Sequence, residues 1–110
     1  MTEFVWVYIT TKDHDEARDI GLSLVRQRLA ACANVIPAIQ SIYVWNGELV
    51  EDHEAALVVK TSSVLFDELI ADVKARHSYE CPCIVALPIT GGNDDYLSWL
   101  RIQTARIESK

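Results

Sequence analysis

The chain is expected to fold as an α+β domain with the element order β-α-β-β-α-β and a further helix at the C-terminal end. Three features lead there. Strand-like apolar segments alternate with segments of helical spacing, an Asn46-Gly47 hairpin signal stands near mid-chain, and capping residues precede each helical segment. Two strand–helix–strand crossovers around a hairpin define a split βαβ, ferredoxin-like arrangement, with both main helices on one face of an antiparallel sheet.

Residues 4–11 are β-branched or aromatic throughout and form the first strand. Its faces, Phe4/Trp6/Tyr8 and Val5/Val7/Ile9, are both free of charge. Asp13 offers an N-cap with Glu16 three residues on, a capping-box pattern. Ala17, Ile20, Gly21, Leu24 and Val25 then recur at helical spacing, and the helix is expected to end near Leu29 to Ala31. A long strand follows over residues 33–45, broken by Pro37, which cannot donate a ladder hydrogen bond and so marks an edge or a bulge. Asn46-Gly47 suits a type I′ turn, and the return strand covers residues 48–61. Ser62 or Ser63 can cap a second helix with the stripe Phe66, Leu69, Ile70 and Val73. Residues 84–89 form the fourth strand. Gly91-Gly92 ends it, and Asn93 or Asp94 caps a last helix containing Tyr96, Leu97, Trp99 and Leu100.

A chain of 110 residues has room for one domain, expected over 1–110, and no repeat or linker interrupts it. An antiparallel sheet with one wet face should alternate apolar and polar residues, and these strands do not. Either the last helix wraps onto the second face or another subunit covers it. One short helix is too small for four strands, so an oligomer joined through its sheets is expected.

Ten basic and sixteen acidic side chains give a net charge of −6, with no Lys/Arg cluster. That charge disfavours nucleic acid, including the exposed-aromatic mode of RNA binding, and anionic membranes. No apolar run reaches the roughly 20 residues of a membrane span. The opening Met1-Thr2-Glu3 lacks the basic start and apolar stretch of a signal peptide, and three cysteines suit reduced thiols, so a cytoplasmic protein is expected.

The densest reactive group is His77-Ser78-Tyr79-Glu80-Cys81-Pro82-Cys83. Imidazole, phenol, carboxylate and thiol on one loop can bind metal or move protons; alternatively, His77 merely closes a helix and the loop turns. Cys81 and Cys83, two apart, suit a soft ion such as Cu(I) if the segment is extended, but alone they supply too few ligands for a closed zinc site, and a disulfide between them is strained; uncommitted, buried or half-buried thiols are the favoured reading. Cys32, among alanines, reads as packing. Lys60 can meet an anionic ligand or extend its head from the sheet end. Tyr43, Trp45 and Trp99 can line a pocket or an interface. No G-x-S-x-G, P-loop, G-x-G-x-x-G or H-E-x-x-H signature is present, and no catalytic residue is assigned.

Several blocks together resemble the CutA family of divalent-cation tolerance proteins. They are Arg28-Leu29-Ala30-Ala31-Cys32-Ala33-Asn34, Ser41-Ile42-Tyr43-Val44-Trp45-Asn46-Gly47, Lys60-Thr61, His77 to Pro82, Leu87-Pro88 and Tyr96-Leu97-Ser98-Trp99-Leu100. The resemblance implies a homotrimer built around a three-fold axis, similar to PII-type signalling trimers that bind small ligands between subunits. It also implies tolerance of divalent metals, copper above all, and no established catalytic activity. Carried over by position, Tyr43, Trp45, Lys60, His77, Tyr79, Glu80 and Trp99 are expected around an inter-subunit cleft. Two departures stand out. Ser78 replaces the usual proline, and the copper ligands proposed for some members, a cysteine and a pair of histidines, correspond here to Thr10 and to Arg76 with His77. The expected function is thus a non-enzymatic trimer that binds a metal ion or small ligand. The alternatives are a PII-like sensor of an anionic metabolite, and an enzyme using His77 and Glu80 as an acid–base pair.

Overall fold

The computed structural model describes residues 2–105; residue 1 and residues 106–110 of the expected domain lie outside the described residues. The elements follow in the order β1 (Phe4–Thr11), α1 (His14–Arg26), β2 (Cys32–Trp45), β3 (Glu48–Ser62), a 3-10 turn (Ser63–Leu65), α2 (Phe66–Arg76), β4 (Ile84–Ile89) and α3 (Asp94–Gln103). All four strands form one antiparallel sheet in the order β2-β3-β1-β4. This is the ferredoxin-like α+β arrangement expected from the element order.

Alternation along the strands divides the sheet into two faces. Val5, Val7 and Ile9 of β1 lie beside Ala55, Leu57 and Val59 of β3, and this face is closed by Ala17, Ile20 and Leu24 of α1 and by Leu69 and Val73 of α2. Burial of these side chains, each worth about 1.5–3 kcal/mol if Val, Leu or Ile, makes this face the main core. Gly21 allows α1 to sit close: a Cβ there would lie 3.1 Å from Leu57 Cδ1 and 3.2 Å from Ala33 Cβ.

Asp13 caps α1 as expected, its carboxylate accepting from the Glu16 N–H at 2.8 Å. The helix ends at Arg26, earlier than its apolar spacing suggests, because Arg28 adopts a left-handed φ of 58°. The N–H of Arg28 then donates to the Val25 carbonyl and that of Leu29 to the Leu24 carbonyl, a Schellman closure with Arg where glycine is usual. Leu24 and Leu29 meet in the core beneath it, which holds this conformation without glycine. At α2 neither Ser62 nor Ser63 caps through its side chain. The Ser63 hydroxyl instead donates to the Thr2 carbonyl, and a 3-10 turn leads into the helix.

Pro37 lies where the β2–β3 register slips between Ile36 and Ile39, and β2 is an edge strand, so the proline meets both conditions its chemistry demands. Asn46 and Gly47 both have positive φ, 51° and 81°, as a type I′ turn requires. Since β1 pairs with β3 only as far as Thr11 and Ala55, the hairpin continues beyond the sheet as a two-stranded arm. The arm contributes to overall dimensions of 50 × 31 × 24 Å.

The second sheet face carries Phe4, Trp6, Tyr8 and Thr10 on β1, Val85, Leu87 and Ile89 on β4, and Ile36 on β2. Helix α3 wraps onto one end of it, packing Leu97 and Leu100 against Phe4, Ala31 and Ile89. A bidentate ion pair from Arg101 to Glu3, at 2.7 and 2.9 Å, and the Arg101 guanidinium over the Phe4 ring at 5.3 Å, hold it there. The rest of the face is left open: Val85 is 52% and Leu87 55% exposed. On the arm Ile42, Val44 and Leu49 are 65%, 66% and 71% exposed.

The close fit at Gly21 gives a direct test. Gly21→Val inserts branched carbons into occupied space and is expected to lower stability in urea denaturation by about 1–3 kcal/mol; an unchanged midpoint would mean that α1 does not pack this closely.

Candidate functional site

Most of the polar residues singled out from the sequence fall at two separated places, one towards each end of β3. At the end of β1, His77 terminates α2, its N–H donating to the Val73 carbonyl at 2.9 Å. Its ring has no exposed surface. Nε2 lies 2.7 Å from the Thr10 carbonyl, and Nδ1 lies 3.0 Å from the Tyr79 N–H. A carbonyl only accepts and an N–H only donates, so in this geometry Nε2 is the donor and Nδ1 the acceptor. Both nitrogens are committed to backbone groups, which leaves no lone pair for a metal in this arrangement. Arg76, beside it, pairs with Asp72 at 3.0 Å.

Two carboxylates complete this end. Glu16 accepts from the Lys12 N–H and from the Ser78 N–H, each at 2.9 Å, so the residue that helps start α1 also ties down the loop after α2. Burial pushes its carboxyl upward, but the N–H of Lys12 and the hydrogen bonds of Ser78 outweigh that and hold it below the usual carboxylate range. Ser78 supplies the backbone donor that a proline lacks. Glu54, buried on β3, accepts from the Tyr79 phenol at 2.6 Å. Burial and the Glu54 carboxylate push that phenol well above the ordinary tyrosine range. Tyr43, on the arm, is raised for similar reasons, burial first and then the nearby Asp52 and Glu54 charges.

The second place lies towards the other end of β3. Lys60 Nζ donates to Asn34 Oδ1 at 3.2 Å and stands 5.7 Å above the Tyr96 ring, which in turn packs against Trp99 with ring centres 5.6 Å apart. Among the described residues Lys60 has no carboxylate partner. Trp99 also lines an apolar cleft of about 360 Å3 with Gly21, Leu22, Val25 and Val35. Lys60 and Glu54 share one sheet face but stand six residues apart on a strand, about 20 Å. Trp45 lies farther out at the hairpin tip, opposite Glu48. Glu80, Cys81 and Cys83 are exposed on the loop before β4, so the two thiols are not buried or half-buried as expected: the loop precedes the strand and nothing packs over it within the subunit.

The structure thus brings His77 together with Tyr79, and Lys60 with the Tyr96–Trp99 pair, but does not join these groups within one subunit. Sequence reasoning gave Glu16 only a capping role and missed Glu54, Asn34 and Tyr96. A carboxylate bordering the apolar run 55–59 needs a buried donor, which was the available signal for Glu54; the donor's identity, 25 residues away, required the fold. Among the described residues no group of three or more His, Cys, Asp or Glu side chains is placed to hold a metal ion.

Fold and site together define a ferredoxin-like α+β subunit whose polar groups border an open sheet face. The family model described as CutA1 divalent ion tolerance protein matches residues 5–103. The chain is 52% identical over 98 residues to the divalent-cation tolerance protein CutA of Thermus thermophilus, covering 89% of this chain and 95% of that protein. It is 42% identical over 98 residues to the chloroplastic protein CutA of Arabidopsis thaliana, covering 89% of this chain but only 54% of that longer protein. Among solved structures, the Thermus thermophilus divalent cation tolerance protein superposes with a TM-score of 0.90 at 50% identity, covering 93% of this chain and 99% of the other. CutA1 of Oryza sativa gives 0.92 at 39% identity, covering 96% and 97%. The chain belongs to the CutA1 divalent ion tolerance family.

The bridging role of Glu16 predicts a pH dependence. Its folded pKa is depressed, so its contribution is present above the unfolded carboxylate value and is lost as pH falls through the folded one. Glu16→Gln is expected to cost about 1–3 kcal/mol at pH 7. The gap from the unsubstituted protein should narrow below about pH 4.5. Denaturation at neutral and acid pH measures both, and a gap that widens on acidification would contradict the assignment.

Proposed function

We propose that the chain acts as a cytoplasmic, non-catalytic homotrimer in the response to divalent cations, taking a small ligand at the seams between subunits. The observation that carries this reading is the division of the polar groups. Tyr43 and Tyr79 at one end of β3 and Lys60 and Trp99 at the other cannot meet in one chain, whereas open sheet faces packed around an axis set one subunit's end beside another's. The exposed Val85 and Leu87 and the apolar arm supply surface for such packing. Trp45 at the arm's tip and Glu80 on its loop are the further seam residues. A multi-ligand metal site, if the assembly makes one, needs donors from more than one subunit, because His77 is already committed. The same commitment, with Glu80 exposed and unconnected to it, speaks against an acid–base pair of His77 and Glu80.

One observation favours the PII-like reading of the ligand as an anionic metabolite. Lys60 stands on a largely apolar face with, among the described residues, only an amide and an aromatic ring beside its Nζ. An anion there gains a charge-assisted hydrogen bond without displacing an existing ion pair.

Light scattering is expected to give three times the chain mass. Thermal shifts across a panel of anionic metabolites should show stabilisation by at least one, abolished in Lys60→Ala without change in assembly. A monomer in solution would sink the seam, and an unaltered shift in Lys60→Ala would remove the anion role.

A further inference from the structure

Small residues gather where α1 passes the edge of the sheet. Gly21 on α1, Ala31 just before β2 and Ala33 within it stand among the larger side chains Leu22, Val25 and Trp99, and the space they leave unfilled is the apolar cleft of about 360 Å3. That size is within the roughly 300–1,000 Å3 of small-molecule sites, which combine apolar walls with a few placed polar groups. The cleft opens at the free edge of β2, between α1 and α3, whereas Val85 and Leu87 lie on β4 at the opposite edge of the sheet. Val25 and Trp99 are its least covered walls, 39% and 42% exposed.

Arg18 lines the cleft and Lys60 stands beside it, and the structure separates the two cations. Arg18 has Asp19 at 3.6 Å, so its charge is already met. Lys60 has no carboxylate partner among the described residues. Its ammonium approaches the cleft by two routes. The ammonium and the thiol of Cys32, a cleft residue, both contact the Asn34 amide oxygen, at 3.2 and 3.8 Å. The ammonium also lies over the Tyr96 ring, which packs against the Trp99 wall. Lys60 is thus one residue away from the cleft on each side, and the pairing of Cys32 with Lys60 fixes that separation in the sheet.

An occupant has to answer both features. A bare anion at Lys60 leaves Val25 and Trp99 in water, and a neutral hydrocarbon in the cleft leaves the lysine unpaired. A molecule with a flat apolar ring and a carboxylate a few bonds from it meets both conditions. Its ring packs against the Trp99 indole, and its carboxylate accepts a charge-assisted hydrogen bond from Nζ.

We propose that the anion taken at Lys60 is an aryl carboxylate, with its ring in the cleft beside Trp99 and its carboxylate on Nζ. This deepens the anionic-metabolite reading above and rests on it; what it adds is the ring and the place that receives the ring.

The test is calorimetry on the 110-residue chain in its native assembly with three probes: 2-naphthylacetate, acetate and the uncharged 2-(2-naphthyl)ethanol. The first is expected to bind more tightly than either of the others by about 10-fold or more. Lys60→Ala should reduce its affinity to that of the alcohol. Val25→Trp fills the cleft from the exposed side of α1 and should weaken 2-naphthylacetate by about 10-fold or more. Leu22→Trp fills the same space from another position and replaces Val25→Trp should that variant misfold, with thermal midpoints reporting the fold of each. Equal affinity for 2-naphthylacetate and either control, full affinity in a folded cleft-filling variant, or no binding of 2-naphthylacetate would overturn the proposal. Each of these leaves the anion reading standing if the metabolite panel still shows a Lys60-dependent thermal shift; loss of every such shift refutes that reading as well.

Discussion

Strand β1 is apolar on both sides and lies between β3 and β4, and most of the fold is an answer to that. On one side Val5, Val7 and Ile9 are sealed by α1 and α2 in a single cluster of buried side chains. On the other, Phe4 is buried under α3 while Trp6 and Tyr8 are only half-covered. Two helices seal one face and a third covers part of the second, since a ten-residue helix, about 15 Å long, cannot span four strands. The ion pair and cation–π contact of Arg101 at Glu3 and Phe4 fix α3 at the N-terminal end of β1 and thereby decide which part of the face is left open.

The C-terminal end of the same strand is organised by polar bonds. The Thr10 carbonyl receives His77, whose other nitrogen takes the Tyr79 N–H; Tyr79 reaches Glu54 on β3, and Glu16 holds the Ser78 N–H. These contacts join α1, β1, β3 and the loop after α2. Each partner is worth about 1–3 kcal/mol to leave unsatisfied once buried, so the chain has strong reason to keep all of them. The most reactive-looking residue of the sequence is, within one subunit, part of this framework.

The order of elements was legible because it rests on local chemistry. The limits of β1 and β4, the caps at Asp13 and Asn93, the Asn46-Gly47 turn and the irregularity at Pro37 all follow from side-chain types and spacing over a few residues. The end of α1 was less so. Val25 continues the apolar spacing, yet Arg28 in a left-handed conformation closes the helix, since the bond from Leu29 to Leu24 and their shared burial outweigh a backbone cost of about 1–2 kcal/mol. Resemblance and residue chemistry named His77, Tyr79, Lys60 and Trp99, but what each touches depends on pairings 25 to 67 residues apart. The wrapping of α3 was weighed against coverage by another subunit, and it accounts for only one end of the face. The trimer that the resemblance implies would have to cover the rest.

A residue's chemical reactivity and its availability are separate properties, and this chain divides them clearly. His77, Tyr79, Glu54 and Glu16 have suitable chemistry for a site, yet their bonds are made inside the subunit, and a ligand must first break a buried contact to use them. Lys60 has an amide partner and an aromatic neighbour, and among the described residues the thiols of Cys81 and Cys83 have no hydrogen-bond partner. A ligand meeting Lys60 competes with one amide oxygen and water, not with a buried ion pair. The bonds that fold the end of β1 are thus made by residues other than Lys60.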